Sequence, residues 1–502
     1  MHALLNDSPT IPVSQHTGRI SSKSLVNLDQ LLLVVPDPAG SSAWKLLPEG
    51  TRLQAAAKKM PQDSAVLLHS RLNNQRQTLV VGGKIAADAS AFQQLTLARK
   101  LVAVASKETG IRLGIFVAGF DSVQQASITK RMLAAALAAS FHMPAYKSQP
   151  KPKPAHDIVL LGLAERIDIS RVQAEANGNN LARWLTCMPP NKLDAIAYTD
   201  ILKSLADHHG WHYKRYSLKE LRKSGAGAFL AVAQGNQNDS ACIVRLRSRP
   251  GKKTASVDLS LVGKGIIFDT GGTNLKPFQS MLNMHADMQG SAVALGTLLA
   301  MTELGLPYAV DCWLAITENR IGPEAYKSRD IVTAANGKTI QTIHTDAEGR
   351  MVLADTLVFA SRDKPKLIVD FATLTGSCIG AITTHYSGVF SNRAEWHPRL
   401  KRTGQVSGER VWPFPIGKEF MDELKSDVAD LKQCSVKGTG DHILAASFLA
   451  EFVEHDTPWI HIDLSAGENE GGLAHIPSTV TGFGVHYTLS LLLDEKILEA
   501  GA

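Results

Sequence analysis

Carboxylates and cationic side chains concentrate in two segments of the chain, residues 262–287 and 344–350. The members of this set are Lys264, Asp269, Lys276, Asp287, Asp346, Glu348 and Arg350. Four carboxylates, two lysines and one arginine are what a two-metal hydrolytic centre with its own cationic catalysts requires. Asp346 and Glu348 alternate along the chain, so in an extended backbone both carboxylates point the same way.

Other interpretations of these segments compete with a hydrolytic site. The glycine-flanked Lys264 could belong to a phosphate-binding loop, but that motif needs Gly at position 258 and Ser or Thr after the lysine, where the chain has Asp258 and Gly265. Residues 259–262 predict a strand that ends at this lysine, with Asp269 in a glycine-containing loop beyond it. Polar residues after an apolar strand are typical of sites in α/β proteins. Spacing alone leaves a solvated turn as an open alternative.

Residues 345–350, Thr-Asp-Ala-Glu-Gly-Arg, resemble the signature of the leucyl aminopeptidase (cytosol aminopeptidase) family. The Gly-Lys-Gly, Phe-Asp-x-Gly-Gly and Lys-Pro elements of residues 263–277 are similar to the family's as well, and so is Asp370-Phe-Ala-Thr-Leu-Thr-Gly376. The resemblance covers roughly residues 175 to 490 and is weak before that. It implies a metal-dependent aminopeptidase that acts on peptides with a free N-terminus and assembles as a homohexamer.

The resemblance also implies a role for each matching residue. One metal ion would be held by Lys264, Asp269, Asp287 and Glu348, and the other by Asp269, Asp346 and Glu348. The catalytic cations would be Lys276 and Arg350, and the substrate-binding residues Leu374 and Gly376. In the family the arginine holds a bicarbonate ion that shuttles the proton. Oxygen and nitrogen ligands suit Mn²⁺, Zn²⁺ or Mg²⁺, and the sequence does not choose among them.

The two lysines would need opposite protonation states. A free lysine has a pKa of about 10.4, so Lys264 could donate a lone pair only if an adjacent divalent cation enforced its neutral form. Lys276 would instead stabilise, as an ammonium, the oxyanion that forms when water attacks a peptide carbonyl.

Several positions near these residues depart from the family pattern. His344 stands where the signature usually begins with Asn, and residues 285–286 replace a Lys-Tyr pair. The loop Tyr326–Asp330 and the segment Gly438–His442, where the family has a small, apolar pocket wall, also differ. None of these is an expected metal ligand. The preference for a particular N-terminal residue therefore does not follow from the resemblance.

The overall composition is that of a globular protein of more than one domain. The chain has 502 residues, 44% hydrophobic and 20% charged. We predict an α/β fold, with a smaller N-terminal α/β domain over residues 1–165 and a larger catalytic domain over 166–502 whose mixed sheet is flanked by helices. The net charge of +6 is small for this length and disfavours a nucleic-acid partner, without excluding one.

The cysteines and the N-terminus predict a cytoplasmic protein with no membrane segment. The five cysteines are all more than fifty residues apart, so neither metal-ligand spacing nor a disulfide framework is visible. Met1–Asp7 lacks the basic and apolar regions of a signal peptide. The first twenty-five residues show no periodicity and predict a loosely structured start.

Apolar periodicity predicts the main elements. Strands are expected at 31–35, 65–68, 78–81, 113–117 and 156–161, and later at 259–262, 309–316, 367–371 and 459–464. Helices are expected at 92–105, 127–141 and 171–186.

Three further functions remain alternatives. A catalytically silent scaffold would be expected to have lost a ligand, and none is lost. A two-metal phosphoesterase would not explain Lys264 as a ligand. A DNA-binding or regulatory role would show as salt-dependent retention on DNA.

Overall fold

The computed structural model describes residues 11–38, 40–61, 65–149, 157–251 and 256–499. Within these ranges the chain forms two compact units. One comprises residues 11–176 with 470–479, and the other comprises 177–469 with 480–499. The predicted boundary between residues 165 and 166 stays a prediction.

The first unit contains one six-stranded sheet. Its strands are β1 (Val13–Thr17), β2 (Gln30–Pro36), β3 (Val66–Arg71), β4 (Leu79–Ile85), β5 (Arg112–Val117) and β6 (Asp157–Leu163), and its helices are α1 (Ser22–Leu25), α2 (Ser41–Trp44), α3 (Gly50–Ala57), α4 (Ala91–Ala105) and α5 (Ser122–Ser140). The strand order is β1-β6-β5-β2-β4-β3, and all neighbours are parallel except β3 and β4. The predicted strands and helices of this region are confirmed, although His156 lies outside the described residues.

The prediction of a loosely structured start was wrong for the described residues, because Val13–Thr17 form β1. This strand pairs in parallel with β6 through Val13 and Ile158. Residues 1–10 lie outside the described ranges. Alternate residues of β2 enter different cores. Leu31 and Leu33 pack with α2 and α3, whereas Leu32 and Val34 pack with α4 and α5, so both faces of the sheet are covered.

The second unit contains an eight-stranded mixed sheet and a small three-stranded sheet. The strands are β7 (His212–Ser217), β8 (Cys242–Ser248), β9 (Leu259–Asp269), β10 (Val310–Asn319), β11 (Ile331–Thr333), β12 (Thr339–Gln341), β13 (Leu367–Ala372), β14 (Ser387–Ser391), β15 (Val411–Pro413), β16 (Leu431–Lys432) and β17 (Trp459–Asp463). The large sheet has the order β15-β14-β17-β13-β9-β10-β8-β7. Its four central strands, from β17 to β10, are parallel to one another, so their carboxyl ends share one edge.

The described residues form eleven further α-helices, and most of them pack on strands of the large sheet. They are α6 (Ser170–Thr186), α7 (Ala195–His209), α8 (Leu218–Lys223), α9 (Gly227–Ala233), α10 (Phe278–Met281), α11 (Gln289–Glu303), α12 (Glu348–Arg362), α13 (Gly376–Ile382), α14 (His397–Ser407), α15 (Asp441–Ala450) and α16 (Val485–Leu493). The predicted mixed sheet with flanking helices is confirmed. None of the described helices combines the length and the apolar character that crossing a membrane requires.

Strand β9 is longer than predicted, because it continues through Lys264 to Asp269 and does not end at the lysine. The glycines on either side of this lysine allow close packing. A Cβ at Gly263 would lie 2.4 Å from the Cα of Ser291 in α11, and one at Gly265 would lie 2.7 Å from a carbonyl oxygen of β10. Val262 packs on the opposite face, in the core that contains α12. Lys264 therefore shares the α12 face of the sheet.

Candidate active site

A cavity of about 710 Å³ opens at the carboxyl edge of the large sheet. All nine residues predicted as ligands, catalysts or substrate contacts line it: Lys264, Asp269, Lys276, Asp287, Asp346, Glu348, Arg350, Leu374 and Gly376. Residues that are more than a hundred positions apart in sequence are thus brought to one place.

Several of the polar residues lie at or near the start or end of an element. Asp269 is the last residue of β9, and Asp287 lies in a short 3₁₀ helix, Met284–Met288, that leads into α11. Glu348 is the first residue of α12, where an acidic side chain is favoured by the helix dipole. Arg350 follows in the same turn and is buried.

The two lysines have different partners in the carboxylate cluster. The Nζ of Lys264 lies 2.8 Å from Asp287 Oδ1 and 3.0 Å from Glu348 Oε1. The Nζ of Lys276 lies 2.9 Å from Asp269 Oδ2 and 2.5 Å from Asp346 Oδ1. Lys264 is only 3% exposed, whereas Lys276 is nearer to solvent at 13%. The more buried lysine thus sits at the base of the cluster.

Burial dominates the electrostatics of the carboxylates. It raises the pKa values of Asp287, Asp346 and Glu348, and the neighbouring carboxylates raise them further, while the lysines oppose this effect. Burial alone would lower the pKa of Lys264, but Asp287 and Glu348 outweigh it and raise that pKa. When all four carboxylates are ionised, the cluster therefore carries more negative charge than its two lysines neutralise.

The donor set fits divalent cations. Asp269, Asp346 and Glu348 each offer one oxygen, and these oxygens lie within 4.8 Å of one another. The Oδ2 of Asp287 is buried and has no hydrogen-bond partner among the described residues. An orphaned buried carboxylate oxygen is costly unless a cation binds it. The residues present therefore suit a metal centre built from oxygen ligands and one nitrogen.

Several residues that orient these carboxylates were not predicted. The Nδ2 of Asn319, the last residue of β10, donates to Asp269 Oδ1 at 2.8 Å and to the Thr345 carbonyl at 3.0 Å. The hydroxyl of Thr373 donates to Asp287 Oδ1 at 2.7 Å. In a single sequence, an Asn or Thr that orients a carboxylate cannot be distinguished from any other Asn or Thr. For Asn319, its position after an apolar strand was the feature that could have indicated a role in the site.

The loop after β13 forms one wall of the cavity. Asp463, at the end of the neighbouring strand β17, accepts hydrogen bonds from the backbone N–H of Leu374 at 3.2 Å and from the hydroxyl of Thr375 at 2.7 Å. A Cβ at Gly376 would meet no described atom within 4 Å, so the wall is open to the cavity at this point. The predicted substrate contacts thus lie on a loop held by a buried carboxylate.

The arginine of the cavity is paired. The Nη2 of Arg350 lies 2.6 Å from Oδ2 of Asp441, and its Nη1 donates to the carbonyl of Gln433 at 3.2 Å. Burial alone would lower the pKa of Arg350, and the Asp441 carboxylate outweighs it and raises that pKa. Asp441 belongs to the segment that departs from the family pattern.

Two other departures have clear positions. His344 lines the cavity, and its Nδ1 accepts a hydrogen bond from the backbone N–H of Asp346 at 3.3 Å. The pKa of His344 is lowered, first by burial and then by the charge of Lys276. Tyr326 is buried, and its hydroxyl donates to the carbonyl of Thr345 at 2.7 Å. His344 therefore faces the cavity, whereas Tyr326, which matches the family and begins the altered loop 326–330, supports the signature segment.

Comparison with known proteins identifies the family of the chain. The model of the cytosol aminopeptidase family, catalytic domain, matches residues 180–489. A probable cytosol aminopeptidase of Solibacter usitatus is 32% identical over 487 residues, which are 95% of this chain and 99% of that protein. A probable cytosol aminopeptidase of Synechococcus is 34% identical over 452 residues, 88% of this chain and 91% of the relative.

Solved structures share the whole architecture. The bottromycin maturation enzyme BotP in complex with Mn superposes with a TM-score of 0.79 at 27% identity, covering 93% of this chain and 99% of BotP. A mutant of tomato leucine aminopeptidase superposes with a TM-score of 0.85 over 97% of each chain, and at 24% identity it supports the fold alone. The chain therefore belongs to the cytosol aminopeptidase family and is a metal-dependent aminopeptidase, a hydrolase of peptide bonds.

Proposed function

We propose that this chain removes N-terminal amino acids from peptides with a free α-amine, using two divalent metal ions, Mn²⁺ or Zn²⁺ or else Mg²⁺. The observation that supports this most strongly is the cluster of four carboxylates and two lysines that lines one cavity. Lys264, Asp269, Asp287 and Glu348 would hold one ion, and Asp269, Asp346 and Glu348 the other. When bound, the metal pair would supply activation of water, polarisation of the peptide carbonyl and a ligand site for the substrate amine.

Lys264 must lose a proton before it can serve as a ligand. In the structure it makes ion pairs with Asp287 and Glu348, so its ammonium form is favoured. If a divalent cation were bound in the same pocket, Lys264 could release its proton and offer its neutral amine as a ligand. Lys264 would therefore be a cation when the site is empty and a ligand when it is filled.

Lys276 would act as the catalytic cation. It touches Asp269 and Asp346 at the solvent side of the cluster, and these carboxylates keep its pKa raised although burial opposes this. A lysine that stays protonated can stabilise the negative charge that develops on the carbonyl oxygen during attack by water. Its role would thus lie in the transition state and not in metal binding.

The substrate's first residue would lie along the loop that contains Leu374 and Gly376. The hydrogen bonds from this loop to Asp463 fix its backbone, which leaves its other edge free to meet a peptide. His344 and Asp441 also line the cavity, and both replace residue types usual in the family. We therefore do not assign a leucine preference.

Bicarbonate, which the resemblance implies as a proton shuttle on Arg350, does not fit the site as it stands. The Nη2 of that arginine binds Asp441 and its Nη1 binds Gln433, so an ion could take the position at Nη2 only by displacing a carboxylate of the chain itself, and the buried Nε is the nitrogen without a partner among the described residues. The proposed mechanism therefore contains no step through bicarbonate.

Assembly and location are proposed from the family alone. We expect a homohexamer in the cytoplasm, with all five cysteines free as they are in the structure. Sedimentation at micromolar concentration measures the assembly directly, and a monomer would contradict it. Cell fractionation would test the location, and the protein in a membrane or secreted fraction would refute it.

The activity is tested with a panel of aminoacyl-4-nitroanilides, each in free and N-acetylated form, with and without added Mn²⁺. We expect cleavage of free substrates and none of their acetylated partners, because an acetylated nitrogen cannot bind a metal. The pattern across the panel gives the preference for the N-terminal residue. Equal cleavage of both forms would rule out an aminopeptidase mechanism of this kind.

A further inference from the structure

The carboxylate of Asp441 binds the Nη2 of Arg350 inside the catalytic cavity, and at 2.6 Å between Oδ2 and Nη2 this is a short, charge-assisted hydrogen bond. Both residues line the same cavity as Lys276, Asp346 and Glu348. We propose that Asp441 is the proton-transfer base of this enzyme, a built-in carboxylate in the place where a free anion would otherwise bind to the arginine. This inference rests on the proposed function.

The position of Asp441 is set by its surroundings. It is the first residue of α15, and the next residue, His442, donates its backbone N–H to the hydroxyl of Ser377 at 2.9 Å. The ring of His442 also packs edge-on against Phe414 at 4.6 Å between centroids. A first-turn acid is common at helix N-termini for electrostatic reasons alone. Here the carboxylate binds a buried arginine that lines the cavity, which that general preference does not explain.

The exposure of the pair suits proton exchange. The side chain of Arg350 is 2% exposed, whereas that of Asp441 is 25% exposed. The arginine therefore anchors one carboxylate oxygen from below, and water or substrate in the cavity can still reach Asp441. A base that is held firmly and remains accessible is what proton transfer to and from a bound substrate requires.

Most other carboxylates of the cavity are engaged elsewhere and are less suited than Asp441 to accept the proton. Asp269, Asp287, Asp346 and Glu348 form the cluster proposed to bind metal. Asp463 is fully engaged with the backbone and hydroxyl groups of the loop after β13. Glu468 also lines the cavity, and burial raises its pKa, which makes it a stronger base than an ordinary glutamate, but Arg350 makes its ion pair with Asp441. Glu468 is therefore the rival base that an experiment must separate from Asp441.

The chemistry balances with this residue alone. As water attacks, one of its O–H bonds breaks and the proton passes to Asp441, while the oxygen bonds to the carbonyl carbon and the π electrons move to the carbonyl oxygen. The electron pair on the carbonyl oxygen then re-forms the C=O bond as the C–N bond breaks; the C–N electron pair stays on nitrogen, and the proton passes from Asp441 to that nitrogen. One water is consumed, Asp441 returns to its carboxylate form, and no further reactant is needed.

The test compares the metal-loaded wild-type protein with Asp441→Ala and Asp441→Asn, assayed in buffer depleted of carbon dioxide and then with added bicarbonate or formate. Wild type should be equally active with and without added anion. Asp441→Ala should lose about 10²–10⁴-fold in kcat, the usual contribution of a general base, with a much smaller change in KM. Added anion should restore part of that activity, because the substitution frees the guanidinium.

Asp441→Asn is the matched control for rescue, since its amide fills the same space and cannot accept the proton. It should be impaired and gain nothing from added anion. Metal content and melting temperature should stay at wild-type values in both variants. A merely structural role for Asp441 would not produce rescue by a small anion.

Three results would overturn the proposal. These are stimulation of wild type by bicarbonate, full activity of Asp441→Ala in depleted buffer, or a loss of kcat in Glu468→Gln that exceeds the loss in Asp441→Ala. The activity of the wild-type protein with and without added bicarbonate tests the proposal even if the variants fail to fold. Activity on free aminoacyl substrates with dependence on bicarbonate would refute only the role of Asp441, whereas no activity on any free substrate with Mn²⁺ would refute the proposed function itself.

Discussion

Gly349 lies directly against the side chain of Lys264. A Cβ at this glycine would be 2.7 Å from both Cε and Nζ of the lysine. A glycine next to Glu348 therefore leaves the space that the side chain of Lys264, on β9, needs to reach the carboxylates.

We predict that Gly349→Ala displaces Lys264 from its positions beside Asp287 and Glu348. Because the end of the lysine side chain can move, the substitution should disturb the site more than it lowers the stability of the fold. Metal content, measured by elemental analysis, and activity should fall together while the melting temperature changes little. Gly380→Ala in α13 is the control, because a Cβ there would meet no described atom within 4 Å. A fully metallated, active Gly349→Ala protein would contradict this account.

Substitutions of the two lysines and of Glu348 should separate effects on metal binding from effects on the chemical step. Glu348→Ala removes a proposed bridging ligand, so occupancy and activity should decrease together. Lys276→Ala should keep both metals and lose roughly 10²–10³ in kcat, the usual cost of removing one oxyanion donor. KM should move much less, since the missing interaction forms mainly in the transition state.

Metal analysis and steady-state kinetics on the same preparations measure these effects. Lys264→Ala serves as the comparison and should lose metal. If Lys276→Ala empties a site while Lys264→Ala leaves both sites filled, the roles of the two lysines are reversed.

Asn319 should act through Asp269. Its amide donates to Asp269 Oδ1 and to the Thr345 carbonyl, so it holds a ligand and the motif loop together. Asn319→Ala should weaken metal affinity about 10–100-fold, as loss of such a supporting contact usually does. Titration of metal-free protein with Mn²⁺ measures the affinity. Asn392→Ala, which removes a hydrogen bond to the Thr457 carbonyl away from the cavity, should leave it unchanged, and an equal loss in both variants would dismiss the role of Asn319.

The candidate site could be located from the sequence because Lys264, Asp346 and Glu348 lie in short motifs that resemble a family signature, and the structure brings them to one cavity. Their residue types and spacing alone left a solvated turn open. The large sheet was also predictable in outline, since its central strands are continuous apolar runs. The extent of β9 was not, because Gly263 and Gly265 resemble the end of a strand until the helix packed against them is known.

Other features depend on contacts between distant parts of the chain. The strand β1 forms only by pairing with β6, about 145 residues later by the register of Val13 and Ile158. The pairing of Arg350 with Asp441 spans 91 residues, and nothing near either residue in a single sequence predicts its contact with the other. Such relationships are set by the fold and could not be derived from local pattern.

Removal of metal tests the central claim most directly. The protein should be freed of metal by exhaustive chelation, with the result confirmed by elemental analysis, and assayed on a free aminoacyl-4-nitroanilide. We predict that hydrolysis is abolished and that added Mn²⁺ restores it, because the carboxylate cluster and its lysines have no means of activating water alone. Undiminished hydrolysis by the verified metal-free protein would contradict the account.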